Sequence, residues 1–195
     1  MKSLLEKLFK WVEHFANTKY KLHALFWVAF TESSFFIVPP DVLIAPIALY
    51  KKYSARFLAV FTGAASTLGG IFGYGIGYFF FHTIGVSIIN FYDAWDVFEK
   101  VKHLYESSTF LTVLVAAFTP IPYKVFTLAG GMFGVDLLTF VVASFLGRGT
   151  RFYVVGLLSE KYGEKALQVI LKKYDKVLLV LGITVMVAIY FLLSK

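Results

Sequence analysis

Long uncharged stretches alternate with short charged ones along the 195-residue chain, and two of the apolar stretches are broken by prolines and charges. Residues 57 to 81 carry no charge and hold Gly63, Gly69, Gly70, Gly73, Gly75 and Gly77, so 55–82 reads as a membrane-spanning helix. Gly69, Gly73 and Gly77 recur every fourth residue, a helix-packing face that lets another backbone approach closely. Residues 137–158 read as a second span, although Arg148 and Arg151 fall inside it, and 177–194 as a third. Residues 22–50 and 109–134 are apolar but cannot cross in one helix. The first is broken at Pro39 and Pro40, with Asp41 beside them and Glu32 before them; the second is broken at Pro120 and Pro122, with Lys124 beside them. Proline removes a backbone donor and pushes the preceding residue out of helical geometry. Each segment therefore predicts two short helical arms, a re-entrant hairpin that enters and leaves on one side.

Three further stretches are amphipathic. In 1–21, Leu4, Leu5, Leu8, Trp11, Val12 and Phe15 oppose Glu6, Lys7, Lys10 and Glu13, with Ser3 and Glu6 spaced as a capping box. Five lysines and no small-residue cleavage site argue against reading 1–21 as a signal peptide. Residues 87–107 place Phe91, Trp95, Phe98, Val101 and Tyr105 on one face, which predicts a second interfacial helix, and 159–176 reads as a charged cytoplasmic segment. The expected fold is an all-α polytopic membrane protein in one domain. Two hairpin-plus-span units enter from opposite faces as an inverted repeat, a final span follows, and substrate would bind near the bilayer midplane.

Composition agrees with that class: 58% of residues are hydrophobic and 19% aromatic, with a mean hydropathy of +0.73. The net charge of +7 would suggest nucleic acid in a soluble chain, but the basic residues flank apolar segments and no recognition motif accompanies them. Along the expected path, 13 of the 19 basic residues fall on the face of the N-terminus and 3 on the other, leaving Lys124, Arg148 and Arg151 within the membrane. The positive-inside bias then puts the N-terminus in the cytoplasm and the C-terminus outside. Without cysteine there is no disulfide or thiolate site, and His14, His23, His82 and His103 form no metal-binding pair, so neither metal nor cofactor is expected.

The intramembrane charges carry the candidate chemistry. Glu32 and Asp41 flank the first break, where two acids in one low-dielectric region repel each other and suit proton coupling; the alternative is that they cap broken backbone. Arg148 and Arg151 lie three apart on one helix face, and each costs about 2.5–3.5 kcal/mol at the bilayer centre. Either they pair with Glu32 and Asp41, or their guanidinium forks receive a phosphate, and a resting ion pair that opens to an anion joins both readings. Lys124 would add a point charge beside a helix N-terminus. Tyr74, Tyr78 and Tyr123 could line such a site but read more readily as packing, and Asp136 reads as a helix cap.

With these residues in view the chain resembles the DedA family of the VTT-domain, or SNARE-associated Golgi protein, group, and its YqaA-like branch in particular. The resemblance rests on Glu32-x7-Pro40-Asp41, on Gly69-x3-Gly73-Tyr74-x2-Gly77, on Phe118-Thr119-x2-Pro122-x-Lys124-x4-Ala129-Gly130, and on Gly147-Arg148-Gly149-x-Arg151-Phe152. Many members have Arg where this chain has Pro120 and Lys124, and Arg148 and Arg151 would supply the missing charge. The resemblance implies a bacterial inner-membrane lipid transporter. Some relatives are linked to undecaprenyl phosphate recycling, others to phospholipid scrambling, and some to the proton motive force.

The functional expectation is thus a flippase or scramblase type of protein moving an anionic lipid or its phosphate head group, with membrane lipids and protons as partners. Two alternatives use the same residues: a proton-coupled small-ion exporter or antiporter, and a non-transporting membrane scaffold whose charges merely neutralise one another. An enzyme is not expected, because no nucleophile–base pair or metal constellation stands out.

Overall fold

The computed structural model describes residues 18–34, 38–50, 53–86, 90, 95–118 and 122–163. The expected helix within 1–21, most of the segment 159–176 and the span 177–194 lie outside them. Among the described residues the chain is helical without strands: α1 (Lys21–Glu32), α2 (Asp41–Leu49), α3 (Ala55–Phe80), α4 (Trp95–Ser107), α5 (Thr109–Ala116), α6 (Tyr123–Met132) and α7 (Leu137–Tyr162). A π-helical turn, Phe81–Gly85, continues α3.

Helix boundaries follow local chemistry. Ser54 is extended and its side chain accepts a hydrogen bond from the Phe57 amide, starting α3. Ser108 does the same for α5 through Leu111, and Asp136 starts α7 by accepting from the Thr139 amide at 2.7 Å, which is the capping role expected of it. Pro40 precedes α2 and Pro122 precedes α6, so each returning arm begins directly after a proline. Gly163, at φ 61°, terminates α7 in a conformation that favours glycine.

Among the described residues only α3 and α7, at 26 residues each, are long and apolar enough to cross a membrane. Each extends about 39 Å against a hydrocarbon core of about 30 Å, whereas the 12 residues of α1 reach only about 18 Å. Both long helices also carry large apolar side chains on their outer faces, among them Val60, Phe72, Leu138 and Leu146. A helix apolar all round belongs in a lipid or protein interior.

The contacts give the direction of every element. Ala55 meets Gly156, Gly63 meets Gly149, and Tyr74 meets Phe140, so α3 and α7 pack antiparallel along a seam of small residues. The α1 arm runs parallel to α3, with Phe26 against Phe61 and Phe30 against Phe72. Lys21, at the start of α1, has its Nζ 5.7 Å from the ring centroid of Tyr53, just before α3. The chain therefore turns near the middle of α3 and comes back to the end it left. Its returning arm α2 follows α7 toward Gly163, whose position Leu49 approaches. The second pair mirrors this from the other end: α5 packs on α7 and α6 on α3, with Gly70 beside Tyr123 and Gly77 beside Leu128.

Each short pair thus straddles the central helices. One core, containing Leu25, Ile44, Ile47, Leu58 and Phe152, fills the end where α3 begins; another, containing Tyr105, Val113, Tyr123 and Phe140, fills the opposite end. Gly69, Gly73 and Gly77 lie where α3 is crossed: a methyl group there would strike the Phe30 carbonyl, the Thr127 side chain and the Leu128 carbonyl in turn. Finally, α7 runs four residues past the expected end at Leu158 because its last turn is used. Ser159 is buried, and Glu160 accepts from the Ala55 amide at 2.6 Å, holding the start of α3.

Candidate functional site

Both breaks open at mid-height beside α7, and the charged residues meet there. Arg148 is fully buried, and its Nη2 donates to Glu32 Oε2 at the end of α1; Glu32 itself keeps 14% side-chain exposure. Arg151, one turn along α7, donates from Nη2 to Asp41 Oδ2 at 2.5 Å, with Asp41 fully buried at the start of α2. The acids accordingly do not share one site; each faces its own arginine. Asp41 stands in the first turn of α2. Both arginines also reach the second pair of short helices. Arg151 Nη1 donates to the Ala117 carbonyl just past α5 at 3.4 Å, and the Arg148 guanidinium carbon lies 4.9 Å from the ring centroid of Tyr123.

Burial makes these contacts consequential. Removing an arginine and a carboxylate from water costs several kcal/mol per ion, and mutual attraction offsets this only with good geometry and additional hydrogen bonds. Arg148 has such support: Nε donates to Ser66 Oγ at 2.7 Å, and the guanidinium carbon lies 4.8 Å from the Phe152 ring centroid. Hydroxyls tie the breaks to each other and to the central helices. Thr127 Oγ1 on α6 donates to the Ser33 carbonyl at 3.1 Å, Ser34 Oγ donates to the Gly69 carbonyl at 2.8 Å, and Tyr123 donates to Ser144 Oγ at 2.5 Å.

The remaining sequence candidates are more dispersed. Lys124 is half-buried in the first turn of α6, one residue after Tyr123. Pro39 is half-buried and Pro40 buried at the first break, Pro122 is exposed at the second, and Pro120 lies outside the described residues. Tyr74 donates to the Val135 carbonyl and serves packing, while Tyr78 is exposed. Tyr123 is the tyrosine at the charged centre. Ser33, Ser66, Thr127 and Ser144 were not singled out by sequence reasoning, and Phe152 entered only as the end of the arginine motif; the available signal was hydroxyls inside apolar runs, directly after Glu32 and at the middle of α3. Among the described residues, no group of three or more acids and histidines is placed to hold a metal ion. A cavity of about 520 Å³ lined by Tyr53, Ser54, Leu157, Glu160 and Lys161 opens at the end where α3 begins, about 18 Å along α7 from Arg148.

Two long apolar helices flanked by short broken ones, with paired charges at the breaks, fit a helical membrane protein. The model of the VTT domain matches residues 38–161, and the chain belongs to that family, the DedA family of membrane proteins. It is 37% identical over 166 residues to an uncharacterized protein of Haemophilus influenzae, covering 84% of this chain and 82% of that one. It is also 33% identical over 163 residues to an uncharacterized protein of Histophilus somni, covering 84% and 83%. No solved structure matches the chain.

Proposed function

We propose that this protein moves an anionic lipid, or its phosphate head group, across the bacterial inner membrane, with the short helix pairs acting as re-entrant hairpins. The family is generally linked to transport, and one observation carries the finer reading. Arg148 and Arg151 are buried on α7 where both broken segments reach it, each paired to an acid on a different arm. A guanidinium can exchange a carboxylate for a phosphate with the same fork geometry.

Glu32 and Asp41 hold the arginines at rest and release them on taking up a proton, while a phosphate takes the vacated donors. Lys124 adds charge beside the N-terminus of α6, where an anion is favoured. The lysine-rich end faces the cytoplasm under the positive-inside rule, which puts the N-terminus inside and the C-terminus outside. The test is lipid translocation in proteoliposomes: Arg148→Ala and Arg151→Ala, each verified as folded and inserted, should abolish it. Unchanged rates in both variants would refute the phosphate role.

A further inference from the structure

Arg148 is held by more than its ion pair, and the extra contact closes a ring. Nε donates to Ser66 Oγ at 2.7 Å, Ser66 Oγ lies 2.7 Å from Ser33 Oγ, Ser33 Oγ is 3.4 Å from Glu32 Oε2, and Glu32 Oε2 accepts from Arg148 Nη2. One proton arrangement makes every contact of the ring. Ser66 accepts from the arginine, which never gives up its Nε proton, and although either serine can donate in the contact between them, the ring closes when the Ser66 hydroxyl donates to Ser33. Ser33 is then left to donate to the Glu32 carboxylate or to the Ala29 carbonyl at 3.0 Å. Ser33 and Ser66 are both buried, so water does not substitute for either.

Of the two polar groups gripping the guanidinium, only Glu32 loses its charge on taking up a proton. Ser66 is neutral throughout, and the Tyr123 and Phe152 ring centroids, 4.9 Å and 4.8 Å from the guanidinium carbon, belong to side chains that carry no charge to lose. We infer that Ser66, backed by Ser33, is a positioning residue that keeps Arg148 aimed at the junction of the breaks after its ion pair opens. Resting on the transport reading, this means that the arginine does not swing out to meet the head group. It stays in place, and the head group comes to it, entering along the edge that Glu32 vacates.

The test reads the arginine itself. Full-length protein in detergent is treated with phenylglyoxal, and modification of Arg148 and Arg151 is followed separately by peptide mass spectrometry. Glu32→Gln should raise Arg148 labelling by less than about twofold, because Ser66 still holds it. Adding Ser66→Ala should raise it at least about tenfold, with Arg151 unchanged; tenfold corresponds to about 1.4 kcal/mol. Glu32→Gln with Ser66→Thr, which keeps the hydroxyl, should return labelling to the slow rate. Ser159→Ala, at a buried serine that bonds only its own helix at the Val155 carbonyl, should leave both arginines slow. The inference is overturned if Glu32→Gln alone labels as fast as the double variant, or if Ser66→Ala accelerates both arginines equally. Translocation of tail-labelled phosphatidylglycerol is measured on the same preparations. Wild-type protein that moves no lipid while the labelling pattern holds would remove the transport reading and leave the positioning role standing.

Discussion

Replacing Glu32 by leucine leaves the Arg148 guanidinium, fully buried, without its counter-charge. Breaking a buried pair from one side typically costs about 3–5 kcal/mol, because the remaining charge is neither solvated nor compensated. Here the lower end applies. Nε keeps Ser66, and the Tyr123 and Phe152 rings stay beside the cation, so we expect about 3 kcal/mol. For a chain of this size 1 kcal/mol shifts Tm by about 2–4 °C, which predicts a fall of roughly 6–12 °C. Adding Arg148→Met removes the stranded charge and fills the space with an apolar side chain. Apolar replacement of a buried pair is often neutral or stabilising by about 1–4 kcal/mol, so the double variant should melt at or above wild type. The assay is thermal unfolding of detergent-solubilised protein followed by tryptophan fluorescence. A single variant melting within about 2 °C of wild type, or a double variant as unstable as the single, would refute the account of this pair.

Three other outcomes follow from the packing. Gly69→Ala drives a methyl into the Phe30 carbonyl and should cost about 1–3 kcal/mol or more, whereas Gly75→Ala meets nothing within 4 Å and should gain about 0.5–1 kcal/mol; their melting temperatures should move in opposite directions. Glu160→Ala removes the acceptor of the Ala55 amide, 2.6 Å away, and should cost about 1–3 kcal/mol and speed amide exchange at the start of α3. Hydrogen bonds from Thr139 hold the Asp136 carboxyl below its ordinary value, so its stabilisation of α7 is present above the usual aspartate range and is lost as pH falls through the lowered value. Asp136→Asn should remove that acid-side dependence from melting curves.

The architecture was legible where the signal is local. Proline positions marked both breaks, the glycine spacing marked the crossing face of α3, and segment lengths separated arms from spans. The high cost of Arg148 and Arg151 in an apolar helix required partners, and only Glu32 and Asp41 were deep enough to serve. Which acid met which arginine was not legible, because it depends on the height at which each arm stops against α7. The two acids were expected to share one region, yet α1 delivers Glu32 to Arg148 and α2 delivers Asp41 one helical turn further on.

What stayed out of reach involves side chains far apart in sequence with no periodicity of their own. Ser66 and Arg148 are 82 residues apart, and Glu160 and Ala55 are 105 apart. Tyr123 read as packing because tyrosine is abundant in this chain; its place over Arg148 follows from Pro122 starting α6 at mid-height, a three-dimensional fact.

In the function proposed here, the charged junction moves lipid rather than merely holding the helices together. The direct test is head-group-resolved lipid translocation in proteoliposomes, with and without a pH gradient, comparing wild type with the charge-free variant Glu32→Leu, Asp41→Leu, Arg148→Met and Arg151→Met after its fold has been verified. The account predicts translocation of anionic lipid by wild type and none by the folded charge-free protein. Equal rates in the two would contradict it and leave the four charges as scaffold.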